Sequence, residues 1–245
     1  MKNGSVKQVF SQMLGRKVDV WVLETPNPKG LIYMMHGNGG DCLEWEENTD
    51  IARLAAQYGL AVVAPDFEDS YCTNTADGRP WFDYLTQELP ALTEELLGRS
   101  FTPENTYIAG LSAGAYGALK WAFAKPGSFA GCISLSGVVD MAARIALLPE
   151  YRLPSFRPIF GKDLTVVPQN DLPLITKTAA QGGYKLPVFL ACGTGDSFLA
   201  MNNGYDKLLT ELEVPHVYHT GPGGHEWDFW AEWIGPALEW MMAQN

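Results

Sequence analysis

Basic residues are scarce in this chain: lysine and arginine number 17 against 28 aspartates and glutamates, a net charge of −11 over 245 residues. No basic run interleaved with aromatics occurs. Nucleic acid and anionic membrane are therefore disfavoured as partners, because phosphate binding rests on cationic side chains that release counterions. Cysteine is scarce as well. Cys42, Cys72, Cys132 and Cys192 show no C-x-x-C spacing, and two of them lie inside apolar strand-like runs, so they read as buried reduced thiols rather than as disulfide or metal ligands. No stretch approaches the roughly 18 consecutive apolar residues of a spanning helix. The start, Met1 to Ser5, runs straight into alternating apolar positions without an apolar signal core or cleavage site, which leads us to expect a mature cytoplasmic protein. An H-E-x-x-H motif and clustered histidines and aspartates are also missing, so metal-assisted chemistry is disfavoured and no cofactor is expected.

What is present is ordinary for a globular protein: 47% apolar and 18% charged residues, which excludes disorder, collagen-like repeats and coiled coil. The length suits one α/β domain over residues 1–245. Val6 to Phe10 and Arg16 to Leu23 alternate with period two, separated by Leu14-Gly15, and predict an antiparallel start. Leu31 to Met35 is a continuous apolar run ending in His36-Gly37-Asn38-Gly39-Gly40, the pattern of a strand buried on both faces that stops at a glycine-rich loop. Further strands are predicted at Leu60 to Pro65, Thr106 to Ala109, Phe129 to Leu135, Leu186 to Cys192 and His216 to Thr220. Helices are predicted from Asn48 to Tyr58, Trp81 to Leu97, Ser112 to Ala124, Asn202 to Leu212 and Trp227 to Met242, the first capped by Asn48 or Thr49. This alternation means βαβ units and a mostly parallel central sheet with helices on both faces. Residues 141–185 break the rhythm, with five prolines and no strand, and predict a cap-like insertion of short helices and loops.

The sharpest chemical signal is Gly110-Leu111-Ser112-Ala113-Gly114, between a buried strand and a helix. This is the nucleophile elbow G-x-S-x-G in its required context, where flanking glycines free a serine hydroxyl to project from a tight turn. A serine needs a base, and four histidines exist. His36 ends a strand and reads as orienting its loop, while His216 and His219 lie in a strand-like segment. His225 lies in the loop before the last helix, where it can reach the carboxyl edge of the sheet, so it is the candidate base. The acid that orients it should fall between serine and histidine in chain order. Asp196, in the loop after Leu186 to Cys192, is the first candidate and Asp140 the second. Asp163, Asp171 and Asp206 read as solvated charges, and Asp228 as favouring the start of the last helix. Two oxyanion donors are needed as well. The Ala113 N–H follows the nucleophile, and the second is expected from the glycine loop, at Asn38 with Gly39 behind it.

Together these residues resemble the α/β-hydrolase fold, and within it the tributyrin esterase and S-formylglutathione hydrolase (esterase D-like) group of esterases. The matching pieces are Phe10-Ser11-x-x-Leu14-Gly15-Arg16, His36-Gly37-x-x-Gly40, Gly110 through Leu119, Cys192-Gly193-x-x-Asp196 and Gly224-His225-x-Trp227-x-x-Trp230. The resemblance implies Ser112, Asp196 and His225 as a catalytic triad, with the N–H groups of Asn38 and Ala113 as the oxyanion hole. It also implies a serine esterase acting on short acetyl or butyryl esters, with acetyl or feruloyl esters of plant carbohydrates in some relatives. Relatives often carry methionine then glycine after the nucleophile, where this chain has Ala113-Gly114-Ala115, and the acidic loop after Asn38 is distinctive.

Substrate contacts are expected from Tyr71, Phe198 and Trp227, although Trp227, Trp230 and Trp233 recur at helical spacing and core packing competes for them. Arg152 and Arg157 in the insertion could meet a carboxylate, although an exposed arginine is usually just solvated. The expected partner is a small-molecule ester, and a homo-oligomer is left open. Acyl transfer to another nucleophile through the same triad, and a catalytically silent binding module, are the alternative readings.

Overall fold

The structure, a computed structural model, describes residues 4–244. Along the chain lie β1 (Ser5–Ser11), β2 (Arg16–Leu23), β3 (Gly30–Met35), α1 (Glu44–Asn48), α2 (Ile51–Tyr58), β4 (Leu60–Pro65), α3 (Trp81–Asp83), α4 (Leu89–Leu97), β5 (Thr106–Leu111) and α5 (Ala113–Ala124). There follow β6 (Gly131–Leu135), α6 (Met141–Ala146), α7 (Leu153–Phe160), α8 (Leu172–Gln181), β7 (Val188–Gly193), α9 (Leu199–Glu211), β8 (His216–Gly221) and α10 (Trp227–Met242). All eight strands join one sheet in the order β1-β2-β4-β3-β5-β6-β7-β8. The β1–β2 and β2–β4 pairs are antiparallel and the rest parallel, so β3 to β8 end on a common carboxyl edge. This is the α/β-hydrolase arrangement that the resemblance implies.

The apolar run in β3 serves two cores at once. Leu31, Tyr33 and Met35 face one, beneath α4, α5 and the insertion, whereas Ile32 and Met34 face the other, beneath α2 and α10. Two buried faces explain why the run is continuous rather than alternating. Burying each such side chain contributes about 1.5–3 kcal/mol. Helix α5 is buried along Ala113 to Phe123, which accounts for its small residues and weak amphipathicity.

Two predicted helices differ in detail. The one expected over Trp81 to Leu97 is interrupted by a π-helical turn at Tyr84–Glu88, where the Leu89 N–H donates to the Tyr84 carbonyl. Pro90 is the physical reason, since it lacks an N–H and its ring would collide with the Thr86 carbonyl in a regular α register. The helix expected from Asn48 begins at Ile51 instead, because Thr49 is extended and separates it from α1. Thr49 still accepts the Ile51 N–H through Oγ1 at 3.2 Å. Between β6 and β7 the chain forms three α-helices, two short 3-10 turns at Glu150–Arg152 and Pro168–Asn170, and no strand, as expected. All four cysteines are free and buried. Among the described residues no helix is long and apolar enough to cross a membrane.

Candidate active site

Ser112 sits between β5 and α5 with φ 53° and ψ −116°, a backbone region that a serine occupies only when its surroundings hold it there. Its N–H donates to the Leu135 carbonyl at 2.9 Å, and its own carbonyl accepts from Tyr116 and Val138 at 3.2 Å. The flanking glycines are required by close approach. A Cβ on Gly110 would lie 2.3 Å from the Gly114 backbone, and one on Gly114 would lie 2.3 Å from the carbonyl oxygens of Met35 and His36. The elbow is thus pressed directly against the end of β3.

His225 and Asp196 come from neighbouring loops after β8 and β7. His225 Nε2 lies 2.9 Å from Ser112 Oγ, and His225 Nδ1 lies 2.9 Å from Asp196 Oδ2. The Asp196 side chain has no exposed surface, while the imidazole is 30% exposed. Its second oxygen, Oδ1, accepts the Phe198 N–H at 2.8 Å. Burial alone would raise the Asp196 carboxyl, but the hydrogen bonds from His225 and Phe198 and the nearby imidazole outweigh it and hold the acid below the usual carboxylate range. An ionised carboxylate here fixes the proton on Nδ1 and leaves Nε2 free to accept from the serine. Asp140 does not compete for the imidazole, because Oδ1 caps α6 by accepting the Ala143 N–H at 2.9 Å. Asp171 likewise caps α8 and Asp206 pairs with His216 at 3.1 Å, so neither is the free solvated charge that was expected. Asp228 lies in the first turn of α10, as expected.

The glycine loop after β3 has most of its N–H groups committed. Gly37 donates to Glu44 Oε2 at 3.1 Å, Gly39 to Asp69 Oδ1 at 2.7 Å and Gly40 to the Gly37 carbonyl at 3.2 Å. Among the described residues the Asn38 N–H has no partner, and neither has that of Ala113 in the first turn of α5. Gly39, the second candidate for an oxyanion donor, is therefore spent on Asp69. His36 anchors the loop from within the core: Nδ1 donates to the Gly37 carbonyl at 2.7 Å and Nε2 accepts the Phe67 N–H at 3.2 Å. A site with a serine, an imidazole, a buried carboxylate and two free backbone donors on adjoining loops can run nucleophilic acyl transfer.

The family model described as "Putative esterase" matches residues 11–241. The chain belongs to this esterase family. It is 30% identical over 219 residues to an acetyl esterase of Caldicellulosiruptor saccharolyticus, covering 86% of this chain and 82% of that one. It is 25% identical over 212 residues to the S-formylglutathione hydrolase of Mus musculus, covering 74% and 71%. In fold it is similar to FphF, a fluorophosphonate-binding serine hydrolase of Staphylococcus aureus, with a TM-score of 0.89, 24% identity and 98% of each chain covered. The chain is a serine esterase.

Around this centre the esterase arranges the expected aromatics unequally. Phe198 stands edge-on to His225, with ring centres 4.8 Å apart. Tyr71 is buried against Phe156 and Phe160 of the insertion, and its hydroxyl donates to Asn38 Oδ1 at 3.4 Å. Trp227 packs instead on Trp45 and Trp230, and it is Trp230 that meets the His225 ring, at 5.0 Å. Arg152 also departs from expectation: it is half-buried and donates to Asn38 Oδ1 at 3.2 Å. Sequence reasoning passed over Arg144, whose guanidinium lies 5.3 Å from the Phe198 ring centre. No motif marks it; only the folding of the insertion over the carboxyl edge brings it there. Among the described residues no group of three or more His, Cys, Asp and Glu side chains could hold a metal ion.

Proposed function

We propose that the esterase hydrolyses short-chain carboxylic esters, acetyl esters foremost, through an acyl-enzyme on Ser112. The observation that carries this reading is the hydrogen-bonded series Ser112 Oγ, His225 Nε2, His225 Nδ1 and Asp196 Oδ2, with both contacts at 2.9 Å. Ser112 attacks the ester carbonyl while His225 takes its proton, and the imidazolium gives that proton to the departing alcohol. Asp196 stabilises the imidazolium. The oxyanion of each tetrahedral intermediate is held by the N–H groups of Asn38 and Ala113, a role supported by their lack of other partners. Water, deprotonated by His225, then cleaves the acyl-serine bond. The acetyl preference is supported by the acetyl esterase relative. We further read the chain as one domain with a cap over the site, working in a reducing, cytoplasmic setting that suits its free thiols.

A p-nitrophenyl ester series from acetate to octanoate, with a feruloyl ester alongside, tests the reading on wild type and Ser112→Ala. Turnover highest on the short esters and lower by about three or more orders of magnitude in the variant is expected. Equal rates in the two proteins would overturn Ser112 as the nucleophile. A maximum at octanoate would overturn the short-chain assignment.

A further inference from the structure

Two guanidinium groups of the insertion reach the site without an ion-pair partner among the described residues. Arg144 lies 5.3 Å from the centre of the Phe198 ring and 5.9 Å from that of Phe156, and Phe198 in turn abuts His225. Arg152 donates to Asn38 Oδ1 and, with Tyr71 and Ser155, lines a cavity of about 390 Å³ beside Asn38. The Nε atoms of both are buried and have no hydrogen-bond partner. Among the described residues neither guanidinium is paired with a carboxylate, whereas Arg16 and Arg79 are both bound by Glu68. Asp69, the acidic residue of that cavity, is engaged by the Asn38 side chain and the Gly39 N–H. Tyr71 senses both arginines: burial raises its hydroxyl, the two positive charges oppose the rise, and the Asp69 carboxylate adds to it by less than either.

A partly buried guanidinium with unused donors is poorly satisfied unless an acceptor arrives, and its planar fork matches a carboxylate. The chain carries a net charge of −11 and Asp69 is the one carboxylate lining that cavity, so two cations outside any ion pair are the groups there that an anionic group would meet favourably. We propose that Arg144 and Arg152 form a carboxylate-binding subsite, so that the esterase favours esters bearing a free carboxylate on the acyl or the alcohol part over neutral esters of similar size. The inference rests on the ester-hydrolysis reading above. The bond cleaved is the same in either case, and the two arginines determine specificity without touching the reacting atoms.

The test compares p-nitrophenyl hemisuccinate with p-nitrophenyl valerate for an acyl-side carboxylate, and 4-acetoxybenzoate with its methyl ester for an alcohol-side one, spontaneous hydrolysis being subtracted. In wild type the anionic member of one pair is expected to have the higher kcat/KM. In Arg144→Gln/Arg152→Gln that anionic-to-neutral ratio falls by about tenfold or more, the loss expected of a charge-assisted hydrogen bond, whatever the neutral rate does. An independent measurement covers a variant that does not fold: the wild-type ratio should fall as sodium chloride rises, through screening of the guanidinium charge. Ratios at or below one in both pairs, or ratios indifferent to salt and to the substitutions, overturn the subsite. Loss of turnover on the neutral esters by wild type would instead overturn the ester-hydrolysis reading itself.

Discussion

Asp196→Asn removes one acceptor from a place that uses two. Asp196 Oδ1 receives the Phe198 N–H at 2.8 Å, Oδ2 faces His225 Nδ1 at 2.9 Å, and no part of the side chain is exposed. Asparagine supplies a single oxygen. If that oxygen keeps the Phe198 N–H, the amide NH₂ meets Nδ1, and the imidazole is held as the tautomer protonated on Nε2, which cannot accept the Ser112 proton. The opposite orientation sets the NH₂ against the Phe198 N–H with no water to relieve it, at about 1–3 kcal/mol for the unsatisfied donor. The first orientation is therefore favoured, and kcat should fall by about four orders of magnitude while the fold survives. The assay is kcat on p-nitrophenyl acetate, with a thermal melt of the same preparation. A variant that keeps a tenth or more of the wild-type kcat would falsify the assignment of Asp196. Asp140→Asn is the control, since asparagine preserves the α6 cap and kcat should stay within about twofold.

Two further expectations concern pH. Because the Asp196 carboxyl is held below the usual carboxylate range, it stays ionised while an imidazole base protonates, an event that for imidazoles in general falls near pH 6.5. kcat/KM should accordingly decline as the medium is acidified, because a protonated imidazole cannot accept the serine proton, and a profile flat from pH 5 to 8 would rule out a histidine base. Stability should depend on Lys120, whose ammonium is buried in α5 beneath the Asn170 Oδ1 at 2.7 Å, the Cys72 carbonyl at 3.1 Å and the Phe82 ring at 4.3 Å. Burial pushes its amine down to about 7. An unfolded lysine keeps its proton to about 10.4, so from pH 7 to about 10 the unfolded chain binds more protons and stability climbs, the slope approaching ~1.4 kcal/mol per pH unit. Urea midpoints of wild type and Lys120→Met at pH 6.5 and 9 measure this, and equal slopes in the two proteins would refute it.

The period-two and continuous apolar runs determined the strand pattern, because side-chain alternation and two-sided burial are written into local sequence. The elbow at Ser112 was legible from its motif as well, although the reason for Gly114 is tertiary: a Cβ there would lie 2.3 Å from the carbonyl oxygens of Met35 and His36 at the end of β3. His225 and Asp196 were legible from their positions in loops after predicted strands, since a parallel sheet collects such loops on one edge. Chain order alone left Asp140 behind Asp196 as a second candidate for the partner of His225, and the folded chain shows the first bonded to the imidazole and the other spent on a helix cap. The choice between the Asn38 and Gly39 N–H groups likewise depends on Asp69, thirty residues from Gly39 in sequence, reaching back to occupy one of them. The removal of Trp227 to the Trp45 packing and the approach of Arg144 to Phe198 are tertiary outcomes too. Local sequence carries periodicity and turn chemistry; which distant donor meets which acceptor is decided only when the cores close on both faces of the sheet.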